Sequence, residues 1–154
     1  MKKIMFIASV GGHLTQLLEL SELFKQYDSV LITEKIDITK DLKKKYKTEY
    51  LIYGSRKFII SYIFIFFYNV IKSLFLFIKH NPQIIITTGA HTAVPLCYIG
   101  WLFRRKVIYI ESFAKSNKPN FSGKIIYPIA SVVVVQWKSM LKHYPKAQYW
   151  GWIY

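Results

Sequence analysis

Apolar and polar positions along this chain alternate between two periods. Ile4 to Ala8 is an unbroken apolar run, the pattern of a strand covered on both faces, and Leu14, Leu17, Leu18 and Leu23 then recur at helical spacing up to Tyr27. The same succession repeats. Val30 to Thr33 predicts a second strand, Ile38 to Tyr46 a short lysine-loaded helix, and Tyr50 to Tyr53 a third strand closed by Gly54. Further on come Ile84 to Thr88, a helix from about Thr92 to Phe103, Val107 to Ile110, and Ser131 to Val135. Strands separated by helices predict an α/β fold: a Rossmann-like parallel sheet flanked by helices and joined by right-handed crossovers. No internal repeat, low-complexity tract or Pro/Gly/Ser-rich linker breaks the pattern, and 154 residues hold one domain with one core. The opening MKKIMFIASV imitates a secretion signal. Its apolar run is short and leads into a helix pattern without a small-residue cleavage site, so it reads as a first buried strand.

One segment departs from a soluble pattern. Phe58 to Ile78, FIISYIFIFFYNVIKSLFLFI, is long enough to cross a bilayer. The strands predicted on either side belong to one sheet and so to one compartment, which a single span would forbid. At helical spacing, Ser61, Tyr62, Tyr68, Asn69, Lys72 and Ser73 fall within roughly 140°. The remaining arc, with Phe58, Ile59, Ile63, Phe64, Phe67, Ile71 and Leu74, is apolar. This pattern predicts an amphipathic helix over 57–79 lying in a membrane interface, with Arg56, Lys57, Lys79 and His80 among anionic headgroups. The alternative is a helix buried wholly in the core.

Composition bears on partners. The chain is 53% hydrophobic and 18% aromatic, and 22 Lys and Arg against 8 Asp and Glu give a formal charge of +14. Such a charge implies an anionic partner: nucleic acid, an acidic membrane surface or a phosphorylated substrate. The basic residues are scattered among apolar helices and no nucleic-acid motif is present, which argues against nucleic acid. The single cysteine, Cys97, excludes an internal disulfide and a cysteine-cluster metal site.

Candidate chemistry gathers in the turns that follow the strands. In IASVGGHLTQL, Gly11 and Gly12 allow close approach of an anion, and His13 is either a general base or a local helix cap. Thr15 and Gln16 stand where a dinucleotide fingerprint needs its last glycine, and the Walker lysine motif is absent, so a nucleotide cofactor is poorly supported. IIITTGAHTAVP repeats the theme with Gly89, Ala90, His91 and Thr92. A third loop, IESFAKSNKPNFSGK, offers Glu111, Ser112, Lys115 and Lys118. Glu111 there is either an acid or base, or the ion-pair partner of a lysine. No acidic residues form a metal-binding pair. The terminal YWGWIY either docks a partner or closes the sheet.

SVGGH, TTGAHTAVP, YIESFAKSNKPNFSGKIIYP and VVVVQW together resemble the acceptor-binding, membrane-associated subunit of the split UDP-N-acetylglucosamine transferase of dolichol-linked glycan assembly. They look closer still to its bacterial relatives in capsular and exopolysaccharide synthesis. That family is similar to the N-terminal half of the GT-B transferase that adds N-acetylglucosamine to the peptidoglycan lipid precursor. The resemblance implies half of a GT-B glycosyltransferase, working with a donor-binding partner chain that holds the UDP-sugar. It also implies a polyprenyl-pyrophosphate-linked sugar acceptor at the cytoplasmic face of the membrane, attached peripherally or monotopically, and calls for no cofactor and no metal. It places Gly11, Gly12, Gly89, Ala90, His91, Thr92, Ser112 and Lys115 at the acceptor and its pyrophosphate, with His13 as base and Glu111 as a second catalytic group. Gln136 and Trp137 match the QW pair, with an interface or structural role. Eukaryotic members usually carry an N-terminal transmembrane anchor; here the amphipathic helix would serve. A non-catalytic anchor or activator of a separate catalytic chain carries the same motifs.

Overall fold

The computed structural model describes residues 1–55 and 57–153; Arg56 and Tyr154 lie outside the described residues. Seven strands form one parallel sheet: β1 (Lys3–Ala8), β2 (Asp28–Lys35), β3 (Thr48–Ile52), β4 (Ile84–Gly89), β5 (Lys106–Ile110), β6 (Val132–Val135) and β7 (Gln148–Tyr149). Their order is β3-β2-β1-β4-β5-β6-β7, so the connections reverse direction between β1 and β4. In open α/β sheets, ligands bind outside the carboxyl ends of the strands at such a switch point.

The helices α1 (Gly12–Leu18), α2 (Ser21–Gln26) and α3 (Leu42–Lys45) lie on one side of the sheet, over Phe6, Leu31 and their neighbours. On the other side, α4 (Ile59–His80), α5 (Val94–Leu102) and α6 (Phe121–Ile126) cover Met5, Ile32, Ile85 and Val133. Residues 4–8 are all buried, as a strand covered on both faces requires, and the signal-like opening is a central strand. Four features differ from the sequence pattern. The helix expected up to Tyr27 breaks at Glu19–Leu20 into α1 and α2. The lysine-loaded helix is a 3-10 turn at Asp37–Thr39 followed by the four residues of α3. Neither α6 nor β7 shows a period in the sequence, because each is too short to repeat one. β7 closes the sheet edge with the start of the aromatic tail.

The long apolar helix is present, and it faces opposite to a surface helix of a soluble protein. Ile60, Phe64, Phe67, Ile71, Phe75 and Ile78 form an exposed stripe, each 62% or more accessible, with Phe58, Ile59, Ile63 and Leu74 exposed beside it. Only 17% of its most apolar stretch is buried, which removes the core-helix alternative. The inward face combines Asn69 and Ser73 of the polar sector with Leu76 and Phe77, while Ser61 and Tyr68 stay exposed. Asn69 donates from Nδ2 to the Ile52 carbonyl at 2.8 Å and accepts the Ile52 N–H at 2.9 Å, so its amide pairs with the sheet's edge as another strand would. Ser73 is buried beneath the helix. At the far end, Lys79 and His80 both bond Glu49 of β3, at 2.6 and 3.2 Å. Burial alone would raise the Glu49 carboxyl, but the bonds from Lys79 and His80 outweigh it and hold the group below its usual range. These two basic residues therefore pin the helix to the protein, a correction to their expected place among headgroups. The C-terminal turn of α5 brings exposed Trp101, Leu102 and Phe103 alongside, where the Phe103 ring meets Phe77 at 5.1 Å.

Replacing Asn69 by Ala leaves the Ile52 backbone groups on the β3 edge without their partner. Chemical denaturation should show a loss of about 1–3 kcal/mol, with hydrogen exchange at Ile52 rising more than at β1.

Candidate functional site

Two glycine turns meet at the switch point. Past the end of β1, the Ser9 N–H donates to the Gly89 carbonyl at 2.9 Å and the Ala90 N–H donates to Ser9 Oγ at 3.3 Å, so the loop after β1 and the loop after β4 are stitched together. Gly11 holds φ +92° and Gly89 φ +100°, a region that side chains rarely adopt. A Cβ on Gly89 would also come within 3.3 Å of the His13 ring. Around Gly11 and Gly12 there is open space, and the first-turn amides of α1 have no partner within the helix.

His13 is the centre of the arrangement. Its Nδ1 lies 2.6 Å from the Thr88 carbonyl, and Thr88 Oγ1 donates back to the His13 carbonyl at 2.6 Å. A carbonyl can only accept, so Nδ1 carries the proton and Nε2 presents a lone pair. That lone pair faces the Asn120 amide, which donates from Nδ2 at 3.1 Å. The ring is half-buried and hydrogen-bonded at both nitrogens, and its side chain does not cap α1.

Glu111 has a different place from either expected role. It is fully buried, Oε1 accepting from Tyr109 Oη at 2.9 Å and from the Ser112 N–H at 2.8 Å. Its Oε2 accepts from Tyr144 Oη at 2.7 Å and from the Asn120 N–H at 3.1 Å. Burial first, and then the neighbouring Glu111 carboxylate, push both phenols well above the usual tyrosine range. With four donors and no lysine, this carboxylate cannot reach a substrate proton. It is a positioning group that holds Asn120, and through it the face of His13.

The other expected site residues divide in the same way. Ala90 and His91 line the cleft beside the loops, with the His91 ring 5.6 Å from Tyr62. Thr92 is buried, and its hydroxyl donates to Glu34. Ser112 is buried and accepts from Gln16 Nε2 at 3.1 Å. Neither hydroxyl faces the cleft, which corrects the expectation that they touch the acceptor. Lys115 is exposed on the third loop. Gln136 donates to Gln16 Oε1 and to the Glu111 carbonyl, and the Trp137 indole N–H donates to the Phe113 carbonyl at 2.7 Å. The ES-aromatic and QW segments thus form one internal network.

Sequence reasoning missed Glu34 and Asn120. Glu34, buried at the end of β2, accepts the Val10 N–H at 2.6 Å and the Thr92 hydroxyl, tying the residue before the first glycine turn to the residue after the second. A glutamate closing an apolar strand was the available signal. Asn120 follows Pro119 and caps α6, so it carried no pattern of its own.

This sheet order and the paired glycine turns define the class: a Rossmann-like half of the GT-B glycosyltransferase fold. MurG of Acinetobacter baumannii has a TM-score of 0.75 to it at 15% identity, covering 90% of this chain and 43% of that one. The chain therefore spans less than half the length of that structure. Over residues 4–153 it matches the oligosaccharide biosynthesis proteins described as Alg14 like, and it belongs to that family. The UDP-N-acetylglucosamine transferase subunit ALG14 of Debaryomyces hansenii is 31% identical over 177 residues, covering 96% of this chain and 75% of that one. The subunit of the same name from Candida albicans is 37% identical over 90 residues, 54% of this chain and 41% of its own length.

Glu34→Ala removes two hydrogen bonds to a buried carboxylate and should cost about 2–4 kcal/mol in chemical denaturation. Amide exchange at Val10 should accelerate with it. Glu34→Gln should restore most of the stability, since the Thr92 hydroxyl can turn to accept from the new amide.

Proposed function

We propose that this chain is the acceptor-binding, membrane-attached subunit of a two-chain glycosyltransferase, in which a partner presents a UDP-sugar and this chain presents a polyprenyl-pyrophosphate-linked sugar. The observation that carries the reading is the His13 ring, held at Nδ1 by the Thr88 carbonyl and bonded at Nε2 to the amide of Asn120, a residue of the cleft. The acceptor hydroxyl displaces the Asn120 amide from Nε2 and gives its proton to that nitrogen as its oxygen attacks the anomeric carbon. The bond from that carbon to UDP breaks and UDP leaves with the electron pair. The Thr88 carbonyl, 2.6 Å from Nδ1, stabilises the imidazolium that forms. Gly11 and Gly12 offer backbone N–H groups and open space for the acceptor's pyrophosphate, while the Gly89 and Ala90 N–H groups are bonded to Thr87 and Ser9 and shape the second turn; exposed Lys115 adds positive charge.

Two further surfaces support the reading. The exposed stripe of α4 fits the cytoplasmic face of an anionic membrane, with the protein peripheral or monotopic. On the opposite side of the sheet, α1 packs on β1 and β4, and a groove opens beside it. A cavity of about 390 Å³ lined by Ile86, Ile108, Ile110, Val134, Trp150 and Trp152 suits a partner chain. The narrower setting, capsular or exopolysaccharide assembly, rests on the likeness of the SVGGH and ESFAK motifs to bacterial members. The second reading, an anchor and activator without a catalytic group, draws on the internal commitment of Glu111, Ser112 and Thr92.

With the partner present, His13→Ala should lower kcat by at least about 100-fold and leave vesicle binding intact. Full activity in that variant, or strong activity of the partner alone, would establish the anchor reading instead. The wild type should pellet with phosphatidylglycerol vesicles and the double variant Phe64→Glu, Phe67→Glu should not. A wild type left in the supernatant at low salt would end the membrane assignment.

A further inference from the structure

We infer that the cleft between α4 and α6 receives the first isoprenoid segment of the acceptor's lipid, next to the pyrophosphate. This rests on the proposed function for the identity of the ligand, and on the shape and chemistry of the cleft for its place. The cavity measures about 280 Å³. Tyr62 and Phe66, one turn apart on α4, form one wall; Phe121 and Ile125 of α6 form the other; Val94, at the start of α5, lies between them.

The two ends of the cleft differ in chemistry. At one end stand Ala90, His91 and Asn120, and Asn120 is the residue that faces His13 Nε2. That end therefore lies at the second glycine turn, with the His91 ring and the Asn120 amide as its polar groups. Tyr62 stands against His91, its ring 5.6 Å away, and one turn further along α4 the Phe66 ring lies 6.2 Å from that of exposed Phe67, so the apolar wall leads from there into the stripe of α4. A ligand with an anionic head and an apolar tail satisfies both ends. A sugar would leave Phe66 and Ile125 without polar partners for its hydroxyls. An extended peptide needs a free strand edge, and these walls are helix side chains.

Phe121 strengthens the assignment. It is 72% exposed on the first turn of α6, at the cleft, where an aromatic side chain gains nothing from the fold itself. A tail lying in the cleft would cover it. The tail would then leave over Ile63 and Phe67 into the bilayer that α4 faces, so the protein reads the units nearest the pyrophosphate and the membrane holds the rest.

The test uses the full chain in phosphatidylcholine nanodiscs, with farnesyl pyrophosphate and inorganic pyrophosphate as ligands and empty nanodiscs as the partition control. Farnesyl pyrophosphate should bind saturably, at one per chain, and at least 10-fold more tightly than inorganic pyrophosphate. Ile125→Trp, which fills the cleft, and Phe121→Ser, which changes only an exposed side chain and adds no charge, should each weaken farnesyl pyrophosphate at least 10-fold and leave inorganic pyrophosphate unchanged. Wild-type affinity in Phe121→Ser and in folded Ile125→Trp, or equal affinity for the two ligands, would overturn the assignment. Cleft-dependent binding without sugar transfer by the paired chains would refute the proposed function and keep the cleft. Transfer by the paired chains with variants that bind as the wild type does would do the reverse.

Discussion

The pairing of β1 with β4 is the constraint on which the rest of the molecule depends. These strands are far apart in sequence and adjacent in space, and the order of the sheet reverses between them. Their register ends with Ala8 opposite Gly89, and the Ser9 N–H carries the pairing one step further to the Gly89 carbonyl. Two turns with left-handed glycines are thereby held face to face. The His13 ring can reach Thr88 only because the two strands end level.

Around that junction the polar side chains are spent on structure. Glu34 closes the first and second turns against each other, and Glu111 takes four donors from Tyr109, Ser112, Asn120 and Tyr144. Buried carboxylates without a basic partner are costly unless every oxygen is bonded, and here phenols and backbone N–H groups meet that need. The consequence for chemistry is selective. Both carboxylates and the Thr92 and Ser112 hydroxyls are bonded inward, while His91 and Asn120, the partner of His13 Nε2, line the cleft.

The long helix follows the same physical logic in the opposite sense. A helix over the face of a sheet ordinarily buries its apolar arc, yet α4 turns Asn69 and Ser73 inward with Leu76 and Phe77 and gives its broad apolar stripe to the outside. Asn69 makes this inversion stable by supplying an amide to the backbone of the edge strand, and Glu49 fastens the far end through Lys79 and His80. The helix starts near the carboxyl edge of the sheet, where Tyr62 meets the second glycine turn, and this joins the membrane-facing surface to the site.

The sequence by itself determined the longer elements and the class of fold, because continuous apolar strands and helical leucine spacing are local properties that burial on both faces demands. It also placed the two glycine-histidine turns, since few residues tolerate such backbones beside a strand end. It did not determine which way the stripe of α4 points, because an amphipathic pattern has two faces and only packing against Ile52 decides which is inside. The fate of Glu111 was equally hidden: its donors, Tyr144 and the Asn120 backbone, are distant or patternless in the chain. The tertiary structure alone decided that Glu111 takes four internal donors, that Glu34 ties the two turns together and that His13 Nε2 meets Asn120. Hydrogen bonds between loops depend on where strands end in space, and the switch between β1 and β4 sets those ends.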